Sequence, residues 1–411
     1  MANTGLKDKL KQLSGSDMYP FHMPGHKRQG ISDEDPCFMD ITEIEGFDDL
    51  HYPKGILKDL EDRFSKMYGG AEVILSVNGS TAGNLACFFA AVRGGGQAVI
   101  ARNCHKSVYN AATIRECGIS YVYPKIEDGL FLGVDIDDIK DVIDNSGEKI
   151  DAVFITHPTY EGYLSDISGI SKFCHSKGIA LICDCAHGAH FGLDKSVPDN
   201  PISLGADAAV MSLHKTLPSL TQTACIAVSQ NALFSSEEVR RYMHIFESSS
   251  PSYVLLSGIE ECADRIEDMG QQAFEKYDKA LDEIYDELLP LTGIRLLPFE
   301  GRDKGKLVFS AAGMDGKKLM DTLRGRFHLE CEMWEGRYVL AMTGVCDTKE
   351  GLNRLKNALL SINDEIVNKD GNNLSLYADN DIFEDIYKRR HEVCLSMFET
   401  ERRNKEKVEL K

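Results

Sequence analysis

The chain lacks several features, and each absence narrows what it can be. No apolar run approaches the roughly 18 residues that a membrane-spanning helix needs. The first residues, Met1-Ala2-Asn3-Thr4-Gly5-Leu6-Lys7-Asp8, have no apolar core of a secretory signal. Cytoplasm is therefore the expected compartment, with no membrane partner. Basic residues are outnumbered, 46 Lys and Arg against 65 Asp and Glu, for a net charge of -19. That balance argues against nucleic acid or an anionic membrane as partner. It is compatible with a cationic substrate, because an acidic surface concentrates cations. The 12 cysteines contain no Cys-x-x-Cys pair, so neither a zinc site nor a redox pair is supported, and no metal is expected. No Gly-x-Gly-x-x-Gly or Gly-x-x-x-x-Gly-Lys-Ser/Thr run occurs, which disfavours nicotinamide and nucleoside triphosphates. A serine hydrolase would need a Gly-x-Ser-x-Gly turn, and that is missing too.

What is present fits a soluble protein with a sizeable core: 411 residues, 43% hydrophobic and 27% charged. Residues 1–53 are punctuated by Pro and Gly, carry an acidic stretch over 33–49, and read as an arm with loops. An amphipathic helix then begins, with Leu57, Leu60, Phe64 and Met67 on one face. From there to residue 255, short apolar strands alternate with helical patterns. The strands fall at 73–77, 98–101, 121–123, 152–156, 180–183, 208–211 and 225–228. Such alternation specifies an α/β domain with a mostly parallel, seven-stranded sheet covered by helices. A long helical pattern over 256–289 connects it to a smaller α+β domain over 290–364, and residues 365–411 read as a polar extension ending in a charged helix over 382–411.

In a sheet of this kind ligands sit outside the carboxyl ends of the strands. Two strand ends carry the chemistry. The run Ala208-Ala209-Val210-Met211 stops in Ser212-Leu213-His214-Lys215, and Ile179-Ala180-Leu181-Ile182-Cys183 stops in Asp184. A lysine and an aspartate at neighbouring strand ends are the pair that pyridoxal phosphate requires. The lysine forms the Schiff base, and the aspartate keeps the ring nitrogen protonated so that the ring accepts electrons.

The remaining strand ends supply the other parts. Val77 leads into Asn78-Gly79-Ser80-Thr81 and a helix. There, free amides and the helix dipole favour an anion, so Ser80 and Thr81 are expected on the phosphate, against the plainer reading of a Ser/Thr N-cap. His105, after the strand at 98–101, is placed to stack on the pyridine ring. His187 follows Asp184 by three residues and is expected near the cofactor's phenolic oxygen or the substrate carboxylate. Ser212 and His214 flank the lysine within reach of the phosphate. The run His157-Pro158-Thr159-Tyr160-Glu161-Gly162 could line the site, with no single atom assignable.

The chain resembles the fold-type-I, pyridoxal-phosphate-dependent ornithine/lysine/arginine decarboxylases, in the shorter bacterial form without an N-terminal wing domain. The likeness rests on seven runs in order. These are F-H-M-P-G-H-K at 21–27, D-I-T-E-I-E-G-F-D-D-L-H-Y-P-K-G at 40–55, 78–83, R-N-C-H-K-S at 102–107, 184–190, S-L-H-K-T-L-P at 212–218 and S-S-P-S-Y at 249–253. The resemblance implies an aspartate-aminotransferase-like fold and decarboxylation of arginine, lysine or ornithine to the amine and carbon dioxide, within polyamine metabolism. It implies Lys215 as the Schiff-base lysine, Asp184 as the pyridinium partner, His105 as the stacking histidine, and Ser80, Thr81, Ser212 and His214 on the phosphate side. It further implies a homodimer with shared sites, in which Ser249 reaches a phosphate across the interface. His214 and Lys215 are the expected proton donors to Cα. Glu43, Glu45, Asp48 and Asp49, from either subunit, are the expected carboxylates for a basic substrate tail.

The chain departs from the family in places. His157 stands where the family usually has asparagine, Cys185 where glutamate or serine is expected, and Ser249 where threonine is common. Relatives continue past the point matching Lys411 into a tail with a Tyr-Pro-Pro-Gly-like run, so this chain is expected either to lack that tail or to be a fragment. Same-fold aminotransferases, aldolases, desulfurases and amino-acid oxidases share the lysine and aspartate and stay open, as does a non-catalytic relative.

Overall fold

The computed structural model describes residues 12–29 and 36–370. The helix expected over 382–411 lies outside them. The first strand, β1 (Tyr19–Phe21), falls in the segment read as arm and loops. Seven strands follow in the larger domain: β2 (Glu72–Ser76), β3 (Gln97–Ala101), β4 (Gly118–Val122), then, after a small hairpin of β5 (Ile126–Glu127) and β6 (Leu130–Phe131), β7 (Ile150–Thr156), β8 (Ala180–Asp184), β9 (Ala208–Met211) and β10 (Ala224–Val228). They form one sheet in the order β2-β10-β9-β8-β7-β3-β4, parallel except for β10, which runs antiparallel to both neighbours. The central strands are buried on both faces, as near-continuous apolar runs require in a parallel sheet.

Chain order reverses between β3 and β7. A crevice therefore opens outside the carboxyl ends there, and the loops carrying His105, His157, Asp184 and Lys215 all leave the sheet on that side. One face is covered by the helix Gly79–Ala91 and its neighbours, which bury Ala86, Phe88 and Phe154. Gly83 is needed there: a Cβ on it would lie 2.8 Å from Val210 Cγ1 and 2.9 Å from Ile226 Cγ1. The other face is covered by the helix Ile56–Met67 and the start of the long helix Tyr253–Leu288. That long helix kinks at Gly270, which takes φ 55°, before entering the smaller domain.

The smaller domain is an antiparallel sheet of β11 (Ile294–Leu296), β12 (Lys306–Ala311), β14 (Met333–Glu335) and β15 (Tyr338–Met342), in the order β11-β12-β15-β14. The helices Gly316–Phe327 and Lys349–Asp370 pack on it. A short strand β13 (Leu329–Cys331) pairs in parallel with β1. This corrects the reading of residues 19–21. Three residues cannot display a period, and Pro20 masked the strand, since proline is tolerated only where no ladder donor is needed. Phe21 is fully buried in the smaller domain's core, worth about 2–3 kcal/mol. Among the described residues no helix is long and apolar enough to cross a membrane.

The two domains meet at the loop after β7. Asp303 donates its amide to Gly162 O at 2.8 Å, Leu164 donates to Gly301 O at 3.0 Å, and Arg302 Nη2 donates to Glu161 O at 2.7 Å. Gly162, at φ 98°, lets the β12 strand approach: a Cβ there would lie 2.9 Å from Lys306 Cβ. That close approach puts Lys306 beside the sheet's carboxyl end.

Candidate active site

Asp184 ends β8 and pairs in register with Val210 of β9, so the lysine loop begins beside it. Its carboxylate is 4% exposed and accepts from Asn84 Nδ2 at 2.8 Å and from the amide of Ala186 at 3.2 Å. Among the described residues it has no ion-pair partner. A carboxylate has about four lone-pair positions, so room remains for one further donor. A buried carboxylate with spare acceptor capacity and no resident cation is the environment a protonated ring nitrogen fits.

Asn84 Nδ2 also donates to Ser107 Oγ at 3.0 Å, and Ser107 bonds His105 Nδ1 through both its hydroxyl (2.8 Å) and its amide (3.2 Å). His105 is thus the N-cap of the helix Lys106–Arg115, held by one nitrogen while its ring stays exposed. Burial of its surroundings, with Lys215 and Lys106 adding to it, lowers its pKa against the opposing pull of Asp184. A neutral, exposed ring fixed at one edge is suited to stacking.

The helix Gly79–Ala91 begins without a side-chain cap on Asn78, leaving first-turn amides free for an anion. Ser80 Oγ lies 2.7 Å from Ser212 Oγ, so the two hydroxyls expected on a phosphate meet at this helix end. Thr81 is exposed next to them. The turn is held from behind by Glu247, whose carboxylate accepts from Ser76 Oγ at 2.8 Å and from the amides of Val77 and Asn78. Ser249, two residues on, is exposed and is not brought into this cluster. His214 is turned away from its expected partner at one nitrogen: Nδ1 bonds Thr223 O at 2.9 Å.

Lys215 is half-buried. Its Nζ lies 3.1 Å from His187 Nε2, and the other nitrogen of that ring lies 2.7 Å from Lys306 Nζ. Burial depresses the Lys215 pKa, opposed by Asp184 and Glu332. Burial also brings the Lys306 pKa down to about 7, opposed by Asp303 and Glu332. His187 is driven well below its ordinary value by burial and by the two lysines. Tyr160 covers this ring at 4.6 Å between centroids and donates its hydroxyl to Glu332 Oε1 at 2.6 Å.

The four acidic residues expected to meet a basic substrate tail are not brought to this cluster. Glu43 and Glu45 are exposed. Asp48 serves elsewhere, since its carboxylate accepts the amides of Lys54, Gly55 and Leu57 at 2.8–3.2 Å and fastens the start of the helix Ile56–Met67. Asp49 Oδ1 accepts from the amide of His51 at 2.8 Å. None of them touches Lys215, His187 or Lys306. Glu332, which sequence reasoning did not single out, acts on both lysines instead.

Asn84, Lys306 and Glu332 are the site residues missed, whereas Tyr160 belongs to the run expected to line the site. Asn84 left a signal, being a poor helix former in the interior of an Ala/Gly-rich helix, one turn beyond Ser80. Lys306 and Glu332 left none, because only the docking of the smaller domain brings them in.

The chain is similar to several known proteins. The chain is 34% identical over 267 residues to the uncharacterized protein YaaO of Bacillus subtilis, a match covering 63% of this chain and 55% of that one. It is 27% identical over 387 residues to an arginine decarboxylase of the same organism, covering 89% of this chain and 79% of that one. Among solved structures it resembles the lysine decarboxylase LdcF of Francisella novicida with a TM-score of 0.65 at 17% identity, over 77% of this chain and 52% of that one. The chain thus spans about half the length of YaaO and of LdcF. The fold is fold type I of the pyridoxal-phosphate-dependent enzymes, the aspartate-aminotransferase-like α/β architecture. Residues 4–288 match the model of the Orn/Lys/Arg decarboxylase major domain, and with well over half its length so matched the chain belongs to the Orn/Lys/Arg decarboxylase family.

Proposed function

We propose that the protein binds pyridoxal 5'-phosphate and decarboxylates a basic L-amino acid, arginine, lysine or ornithine, to the corresponding amine and carbon dioxide. The observation that carries this reading is that Lys215, in the loop after β9, lies within electrostatic reach of a buried Asp184 at the end of the adjacent parallel strand β8, and that Asp184 has no ion-pair partner among the described residues. Pyridoxal phosphate, when bound, supplies the electron sink into which the bond to the departing carboxylate can break.

The chain's own residues would do the rest. Lys215 would be the amine that holds the cofactor. Asp184, fixed by Asn84 and the Ala186 amide, keeps a ring-nitrogen proton in place. His105, anchored through Ser107, would hold the ring by stacking, and the free amides of the helix at Gly79 with Ser80, Thr81 and Ser212 would hold the phosphate. Lys215 would return a proton to Cα, while His214 has one nitrogen, Nδ1, bonded to Thr223 O. Glu332, which acts on Lys215 electrostatically and is bonded by Tyr160 and the Met23 amide, would be the carboxylate that meets the substrate's cationic end. The exposed Glu43 and Glu45 would face the neighbouring subunit's site in a homodimer, the arrangement the family resemblance implies. The acidic surface, net -19, favours a cationic substrate.

The test is direct. Purified protein given pyridoxal phosphate and each of arginine, lysine and ornithine should release carbon dioxide and one amine. Keto-acid formation would point to an aminotransferase, and oxygen uptake to an oxidase. A Lys215→Ala variant should fail to develop the visible band of the cofactor-loaded protein; a band of undiminished intensity in that variant overturns the assignment.

A further inference from the structure

The Lys215–His187–Lys306 line holds more cations than its hydrogen bonds allow. His187 is 5% exposed and Lys306 1% exposed, and each ring nitrogen of His187 has a lysine amine at bonding distance. A neutral imidazole has one acceptor nitrogen and one donor, while an ammonium group only donates. Two ammonium groups therefore cannot both bond a neutral ring. Either Lys215 or Lys306 must be a neutral amine that accepts from it.

The surroundings enforce the same count. Among the described residues neither lysine has a carboxylate within ion-pair distance. Asp303, on the turn before β12, is 3.4 Å from His190 Nε2. Glu332 is taken by Tyr160 and by the amide of Met23 at 3.1 Å. Asp184 faces Lys215 from β8, while His105, His214 and Lys27 face the cluster from their own elements and add no negative charge. Two uncompensated ammonium groups at this depth are far costlier than one.

We propose that Lys215, His187 and Lys306 form a proton relay, in which Lys215 gives its proton through the His187 ring to Lys306 and recovers it by the same path. In one state the Lys215 ammonium donates to Nε2, and Nδ1–H donates to a neutral Lys306 amine. In the other, an Nζ–H bond of Lys215 has broken as Nε2–H formed, and Nδ1–H has broken as a new Nζ–H formed on Lys306. One positive charge moves and none is created. Both states satisfy every donor and acceptor along the line. Lys306 is thus a positioning residue, acting through His187 to decide whether Lys215 is a free amine. The main chain keeps it in line, with Lys306 O accepting from Arg302 Nη2 at 2.9 Å and Gly162 opening the way for its side chain. Burial that brings Lys306 to a pKa of about 7 puts this exchange in the neutral range.

The relay rests on the reading of Lys215 as the cofactor-holding amine, and its test does not need turnover. In cofactor-free protein labelled with ¹⁵N at lysine Nζ, the signals of Lys215 and Lys306 should titrate together, with one charge between them at neutral pH. In Lys306→Met, Lys215 must keep its own proton. Its midpoint, and the pH profile of pyridoxal phosphate capture followed by visible absorbance, should then move to higher pH by about one unit, a tenfold smaller neutral fraction. Lys306→Arg, which stays charged, should leave the capture midpoint no higher than in the unaltered protein. An unshifted midpoint in folded Lys306→Met overturns the relay. If that variant does not fold, two fully charged lysines at pH 7 in the unaltered protein overturn it equally. A concerted titration without any cofactor capture would instead sink the functional reading and leave the relay standing.

Discussion

The amide of Gly25 donates to the carbonyl oxygen of His214 at 2.8 Å, so the N-terminal segment is bonded to the residue immediately before Lys215. Its neighbours extend the contact into the other domain: Met23 donates its amide to Glu332, and Lys27 donates to Met342 O at 2.7 Å. The run Phe-His-Met-Pro-Gly-His-Lys is therefore a clamp laid across both domains at the lysine loop. Its glycine is there because two main chains run side by side.

Replacing that glycine should open the clamp. A Cβ on Gly25 would lie 2.7 Å from Leu217 O and 3.0 Å from Leu217 N, and these are backbone atoms that cannot rotate away. Gly25→Ala is expected to cost about 1–3 kcal/mol of stability. It should also slow cofactor capture, because the atoms displaced belong to the lysine loop. Thermal melting together with the growth of visible absorbance checks both; a variant unchanged in each would show that the clamp does not hold the loop.

The clamp's far end is a buried ion pair. Lys27 Nζ lies 3.5 Å from Asp347 Oδ2, with the side chains 2% and 0% exposed. Asp347 also accepts from the Gly344 amide at 2.7 Å and Tyr19 Oη at 3.0 Å. Lys27→Met strands a carboxylate away from water and should cost about 3–5 kcal/mol. Adding Asp347→Asn removes the stranded charge and should recover a large part of the loss. Denaturant unfolding of the two single variants and the double variant measures the coupling, and strictly additive losses would contradict it.

The larger domain was legible because a strand buried on both faces writes itself as an apolar run, and its last residue is easy to find. Asp184, Ser212 and Lys215 were read from such endings, but the helix expected to follow the Ser80-Thr81 pair starts before it, at Gly79. What the sequence concealed was contact between distant segments. Lys306 reaches His187 across 119 positions, and Tyr160 reaches Glu332 across 172. Asp48 looked like one more acidic loop residue; only its three amide partners show that it closes a helix end.

Asp184 offers the plainest test of charge against shape. Asp184→Asn keeps an oxygen for Asn84 to donate to and keeps the volume, so the fold should survive. The ring nitrogen's proton would lose its anionic partner, and electrostatic losses of this kind run to about 10²–10³ in rate. Amine production should fall by that order while visible absorbance persists. If turnover survives at its original rate, Asp184 is not the ring's counter-charge.

The buried ring of His157 makes the protein's stability depend on acid. It is 2% exposed, follows β7, and accepts from the Ser165 amide at Nδ1, 3.2 Å away. Burial draws its pKa down from 6.5 to about 4. The folded state therefore holds the neutral form more firmly than the unfolded chain does. The contribution is complete above pH 6.5 and is lost progressively as pH falls from there through 4, amounting to about 3 kcal/mol. His157→Asn places there the residue the family usually carries, keeps an acceptor for Ser165, and cannot titrate. Unfolding free energies of the two proteins, compared at neutral pH and again near pH 4, should shift by about that amount in the variant's favour. Curves that stay parallel across this range would mean that the His157 ring is already charged in the fold, or reaches solvent before it matters.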